Sequence, residues 1–285
     1  MNALKCNESL TSPTKLWLSI AVAAGLFTVP AARADVIYTT PLDSTGILAD
    51  AFVTDGTANN ANPNSNYGAA GTMVVAGANS GNGAFESLIK FNLAGAEAAF
   101  NSAYGAGNWT INSISLTLAS NYGVEGVQPN NAIFSPVNGG AFDISWLANN
   151  SWVEGPGTGA GVASNGSTGG ITWNSLPNYL TPGVDESLGA FNYTPPGNNI
   201  PQTYSLTLGS GLIADVLSGG AATLLLMPGN NTINYLFNTI TFAQNHEFLT
   251  IDATAVPVPG AAWLFGGALA AFGLSGRRRR AGFSA

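Results

Sequence analysis

The chain has 285 residues, 46% of them hydrophobic and only 8% charged, with a formal net charge of −7. Seven of its 8 lysines and arginines sit in the two ends, so residues 35–259 carry 14 acids against the single base Lys90. That body excludes nucleic acid as a partner and disfavours anionic lipid surfaces, because phosphate contacts need Lys and Arg; with Cys6 the only cysteine, it also excludes disulfides, thiol nucleophiles and thiolate metal sites.

Lys5 and Lys15 supply positive charge around the start of an apolar run of 14 residues, Leu16 to Val29. A membrane helix needs about 20, so the run is short for a span. Pro30 and the small-residue pattern Ala32-Arg33-Ala34 follow, just before Asp35. This order predicts a signal peptide over residues 1–34, cut by signal peptidase, and hence an exported protein.

The body then reads as short apolar runs separated by turn residues. Ile47 to Val53 alternates Ile47, Ala49, Ala51 and Val53, and Thr72 to Ala76 is a short apolar strand. Phe85 to Leu93 places Phe85, Ile89, Phe91 and Leu93 on one face. An Ala-rich helix is expected over Ala94 to Ala103, ending before Gly105. Ile111 to Ser120 alternates at Ile114, Leu116 and Leu118. Further strands are expected at Tyr204 to Leu208, Ala222 to Met227, Asn234 to Phe237 and Phe248 to Ala255. A second helix, Leu212 to Leu217, stops at Gly219-Gly220. Long loops fall at Gly56 to Asn66, Gly155 to Gly170 and Asn192 to Pro201. The pattern predicts an all-β fold: a single jelly-roll-like antiparallel β-sandwich over residues 35–255 with one or two short helices, plus an N-terminal signal helix and a C-terminal membrane helix.

The C-terminus has three parts in order. Val256-Pro257-Val258-Pro259-Gly260 breaks regular structure. Ala261 to Leu274 is an apolar run compatible with a helix. Arg277, Arg278, Arg279 and Arg280 form a basic block, which the positive-inside rule holds in the cytoplasm. This tail resembles the PEP-CTERM sorting signal of Gram-negative bacteria, with "VPVPG" where that family often has "VPEP" or "VPLPA". The resemblance implies recognition by a membrane sorting enzyme of the exosortase type. It further implies passage through an inner-membrane-anchored precursor, and a final place at the cell surface or in the extracellular matrix.

Two body segments carry a second resemblance. "DAFVTDGTANNANPNSNYGAAGTMVVAG" is followed by "ESLIKFNL", and further on stands "SWVEGPGTGAGVASNGSTGGITWNSLP". Together they resemble DNRLRE-type domains, which are carbohydrate-binding-module-like β-sandwiches. The resemblance makes Asp50, Asn66, Tyr67, Gly68, Trp152, Glu154, Trp173 and Pro177 framework positions. The chain departs from the family at Glu86-Ser87, which replaces an Arg, and at His246-Glu247, which stands for an Arg-Glu pair. The loop after Glu154 is longer and richer in Gly than is usual there.

Chemistry-bearing residues are sparse. His246 is the only histidine, it sits in a polar turn, and no G-x-S-x-G elbow accompanies it. Zinc, which takes several His or Cys ligands, is excluded. The acids Glu86, Glu125, Asp143, Glu154, Asp185 and Glu186 form no glycosidase pattern. A structural calcium is the cofactor that the residues allow, with Asp50, Asp55 and the Asn-rich loop offering oxygens. For a glycan, Tyr67, Tyr122 and Tyr179 beside Asn-rich loops are the candidate stacking rings, while Trp152 and Trp173 belong to the framework. The reading is a non-catalytic exported protein that binds exopolysaccharide; a polysaccharide-active enzyme and a coat protein without ligand stand beside it.

Overall fold

The computed structural model describes residues 34–56, 62–81, 83–121, 139–157, 169–195, 197, 199–242 and 244–256. Among the described residues, eleven strands and two α-helices follow one another along the chain. They are β1 (Val36–Thr39), β2 (Ile47–Thr54), β3 (Thr72–Ala76), β4 (Phe85–Asn92), α1 (Ala94–Tyr104), β5 (Trp109–Ala119), β6 (Gly140–Leu147), β7 (Glu186–Tyr193), β8 (Pro201–Leu206), α2 (Ser210–Ser218), β9 (Ala221–Pro228), β10 (Asn234–Asn238) and β11 (Phe248–Ala255). One sheet runs β1-β11-β5-β8; the other runs β10-β3-β4-β9-β6-β7, with β2 paired to β4. Every pairing is antiparallel.

Alternation decides the faces. Ile114, Leu116 and Leu118 of β5 and Leu249, Ile251 and Ala253 of β11 face a main core shared with Ile89 and Phe91 of β4, Phe142, Ile144 and Trp146 of β6, and Leu224 and Leu226 of β9. Helix α1 adds Phe100 and Tyr104, and α2 adds Leu212 and Val216. Gly219 caps α2 in the left-handed region at φ 64°, where a side chain would be strained, so the expected stop holds.

The opposite face of the larger sheet is covered too. Ala49, Ala51 and Val53 of β2, Leu88 of β4, Leu147 of β6 and Leu225 of β9 pack under Trp152, Ile171 and Leu176. A third cluster joins Phe52, Tyr67, Val74, Phe85 and Leu236. This corrects the sequence expectation for β4, in which Phe85 shares a face with Ile89, Phe91 and Leu93. Strand β4 touches β3 through one pair, Ala76 and Phe85, and from Ser87 onward that edge pairs with β9. At the handover the Ser87 hydroxyl donates to Val74 O at 2.7 Å and accepts from Val74 N at 2.9 Å, substituting for backbone pairing.

The chain enters and leaves the sandwich at the same end, because Val36 pairs with Ala253. The Tyr104 hydroxyl lies 2.8 Å from Ala34 O and 2.9 Å from Ala253 O. Val256 N donates to Asn108 O at 2.9 Å. No helix among the described residues is long and apolar enough to cross a membrane.

Candidate functional site

The segments that carry the body's resemblance meet on the outer face of the larger sheet. Thr172 and Ser175 close a turn just before the 3-10 helix Leu176–Asn178: Thr172 N donates to Ser175 Oγ at 2.9 Å, and Ser175 N to Thr172 Oγ1 at 3.2 Å. Asn66, almost fully buried, ties the loop before β3 to that segment. Its Nδ2 donates to Ile171 O at 3.1 Å and to Glu154 O, and its Oδ1 accepts from Gly157 N at 2.8 Å. A Cβ at Gly157 would lie 1.8 Å from Asn66 O, and one at Gly170 would lie 2.2 Å from Asn66 Nδ2, so both positions must lack one. A Cβ at Gly68 would strike Glu154 O at 2.5 Å. Pro63 O accepts from Asn174 N at 3.0 Å, and Asn64 Oδ1 from Asn174 Nδ2 at 2.8 Å. Trp173 packs half-buried on the outer core, and Pro177 is exposed within the 3-10 turn.

Beneath this clamp lies a group of carboxyls. Asp50 stands at the centre of β2 and Glu247 just before β11, and both are 0% exposed. Their carboxyls are within hydrogen-bonding reach of each other, and that of Glu154 accepts from Asp50 N. Burial pushes Asp50 up to about 6. Burial and the Asp50 charge push Glu154 up to about 7 and Glu247 well above the usual carboxylate range. Glu86 on β4 is pushed up to about 7 by burial alone. Lys90 is engaged elsewhere: its Nζ donates to Trp152 O at 2.6 Å and lies 4.8 Å from the centroid of the Trp152 ring.

Glu86 gives a pH signature. Its folded pKa lies above its unfolded value of 4.5, so its stability contribution is complete below pH 4.5 and is lost as pH rises through about 7. Glu86→Gln removes this loss. The variant gains about 2 kcal/mol over wild type at pH 8 relative to the same comparison at pH 4, read by urea unfolding at both pH values. An equal difference at the two values rejects the assignment.

A second feature is an open groove of about 610 Å³ between β7 and β8, the facing edge strands of the two sheets. Phe191 is the half-buried ring of the groove; Tyr204, only 7% exposed, lies behind it, with centroids 5.5 Å apart and an interplanar angle of 66°. Asn192, Gln202, Thr203 and Ser205 contribute amides and hydroxyls. The Tyr204 hydroxyl donates to Gln202 Oε1 at 2.7 Å, and Gln202 Nε2 donates to Thr194 O at 2.7 Å, which fixes the amide. Among the described residues, no Lys, Arg, Asp or Glu lines the groove.

The candidate rings named from sequence fare differently. Tyr67 is a correction: it is 5% exposed and stacked on Phe52 at 4.5 Å, with no face left for a sugar. Tyr179 is half-buried against the outer core, and Tyr122 lies outside the described residues. The pairing of Asp50 with Asp55 around one calcium is also corrected. Five residues of extended chain separate the two by roughly 16 Å, so a single ion cannot bridge them. Ala34 and Val256 lie at the exposed ends of the described chain. Ala32, Pro257, Val258, Pro259, Gly260 and Arg277 to Arg280 lie outside it.

The other acids have structural work. Asp185 accepts from Thr181 N at 2.6 Å and Ala148 N at 2.9 Å, Glu186 from Gly211 N at 2.9 Å, and Asp215 from Trp146 Nε1 at 2.7 Å. The His246 ring nitrogens face Leu42 O and Phe242 O. No family profile matches the chain, and no curated protein does so either.

Proposed function

We propose that the chain is an exported, non-catalytic surface or matrix protein whose sandwich binds a neutral exopolysaccharide in the groove between β7 and β8. The sandwich is read as a jelly-roll-like module of the DNRLRE type. The tail from Val256 to Arg280 is read as the address that an exosortase-type enzyme removes. The groove carries the reading: the half-buried Phe191 contributes apolar surface, amides and hydroxyls surround it, and among the described residues no Lys, Arg, Asp or Glu lines it. Such a surface suits sugar rings and their hydroxyls. A body with 14 acids and one base repels an anionic polymer, so the ligand is neutral. Catalysis is disfavoured because Asp50 and Glu247 are sealed from solvent and the His246 nitrogens face carbonyl oxygens.

The test is co-sedimentation of the protein with cellulose, alginate and the host's own exopolysaccharide. Retention on a neutral glycan, reduced about tenfold by Phe191→Ala or Gln202→Ala, is expected. Absence of binding to any of the three leaves a coat role without ligand. An epitope placed after Arg280 tests the address: it is lost in an exosortase-bearing host, and its persistence on the membrane-bound chain rejects sorting.

A further inference from the structure

Asp50 and Glu247 come from distant points of the chain and meet away from water. Both are 0% exposed, with their carboxyls in hydrogen-bonding reach of each other. Asp50 Oδ2 accepts from Ile240 N at 3.0 Å. Asp50 Oδ1 and both Glu247 carboxyl oxygens are buried without a hydrogen-bond partner. Two ionised carboxyls offer acceptors only, and like charges in contact away from water cannot both persist. A proton held between them answers both problems: it makes one oxygen a donor to the other and removes one charge. The Ile240 N–H favours the charge on Asp50, so the proton sits on Glu247.

Among the described residues no cation takes the proton's place. On β4, paired with β2, Lys90 is turned to Trp152 and Glu86 is a further buried acid. Glu154 in the clamp adds a like charge to both members of the pair. His246, next to Glu247, directs its ring nitrogens to Leu42 O and Phe242 O. Asp252, farther along β11, faces Asn112. Strands β3 and β5 carry no charged residue, and β10 contributes Tyr235, stacked on Tyr193. The residues around Ile240 and Glu247 also hold Asn199, two residues before β8. Asn245 Nδ2 donates to Asn199 O at 3.0 Å, and Asn238 Nδ2 to Asn199 Oδ1 at 2.8 Å.

We propose that Asp50 and Glu247 form a pH-sensitive latch: the shared proton fastens Ile240 and Glu247 to β2, and its loss releases them together with the turn that enters β8. The latch acts whether or not the groove holds a glycan. Burial and mutual repulsion raise both carboxyls above their unfolded values of 3.8 and 4.5. The latch is therefore complete below those values and is lost as pH rises beyond the ordinary carboxylate range. With one proton held in the closed form and none in the open form, each pH unit makes opening about tenfold easier until the pair itself titrates.

Hydrogen exchange of the full-length chain, corrected for the intrinsic pH dependence of amide exchange, is the test. Between about pH 6 and about pH 8, opening at Ile240 and residues 247–249 is expected to rise about tenfold per pH unit, with Asn199 and Ile200 following. Glu247→Gln sets a permanent N–H donor where the proton was, so its opening stays flat over this range. Asp50→Asn is flat as well, while Glu86→Gln keeps the wild-type slope at these amides. A wild-type slope near zero overturns the proposal without any variant. So does a wild-type slope retained in Glu247→Gln, or a rise of equal size throughout the sandwich, which reports global unfolding.

Discussion

Trp152→Ala lowers the unfolding free energy by about 4 kcal/mol and the melting temperature by about 12 °C. Trp152 is among the largest fully buried side chains, and it roofs the outer core over Leu88, Leu147 and Leu225. Three losses combine in the variant. A cavity opens between the sheet and Ile171 and Leu176. Thr223 Oγ1, also buried, loses the indole N–H that reaches it at 3.0 Å. Lys90 loses the ring face over which its ammonium lies, while remaining the only base in the body. Trp152→Phe separates these terms. It keeps most of the packing, loses the Thr223 bond, and costs about 1–2 kcal/mol. Urea unfolding of both variants is the measurement. A Trp152→Ala cost below about 1 kcal/mol would mean that this segment does not pack on the sheet.

Asn66→Asp destabilises more than Asn66→Ala, although Asp is the closer shape. Alanine removes the donors to Ile171 O and Glu154 O and the acceptor for Gly157 N, costing about 3 kcal/mol. Aspartate keeps the acceptor but sets a charged oxygen against two carbonyl oxygens, close to the Glu154 backbone. The expected loss is about 4 kcal/mol, with proteolysis opening first near residues 153–157. Equal losses, or a milder Asp, would mean that the Nδ2 contacts are not what holds the loop. Both variants are read by the same unfolding curves, with limited proteolysis locating the opened segment.

Much of the sandwich was legible because alternation is a local property. Strands β2, β3, β5, β9, β10 and β11 fall where apolar runs stand between turn residues, and α2 stops at Gly219 as its sequence demands. Strand β6 was equally legible in the alternation of Phe142, Ile144 and Trp146, although the expected elements omit it. Strand β7 was harder to see. Gly189, at φ 135°, sits in it opposite a register shift between Ile144 and Ser145, so its apolar residues do not keep one parity. Strand β1 is a four-residue edge beside the predicted cleavage point, too short for periodicity to register.

The sites were less legible than the strands. The groove is made by edge strands of two different sheets, and no local pattern states which edges will face each other. Tyr67 looked like a loop ring, but its stacking on Phe52 is a tertiary fact. Asp50 did carry a signal: an acid between Ala49 and Ala51 in an apolar strand, in a body with a single base. Its partner Glu247 was visible only as half of a replaced Arg-Glu pair.

The end shared by Ala34 and Val256 has a mechanical consequence. Any load applied through the tail enters along β11, which is flanked by β1 on one side and β5 on the other. Pulling β11 out therefore shears two hydrogen-bonded ladders at once, where an edge strand would peel from one. A polymer held at β8 takes up the opposite end of that load through β5, so the line of force from tether to ligand crosses β11, β5 and β8 within the smaller sheet. The groove's other wall is β7, so the rest of the load passes through β7 and β6 into the larger sheet.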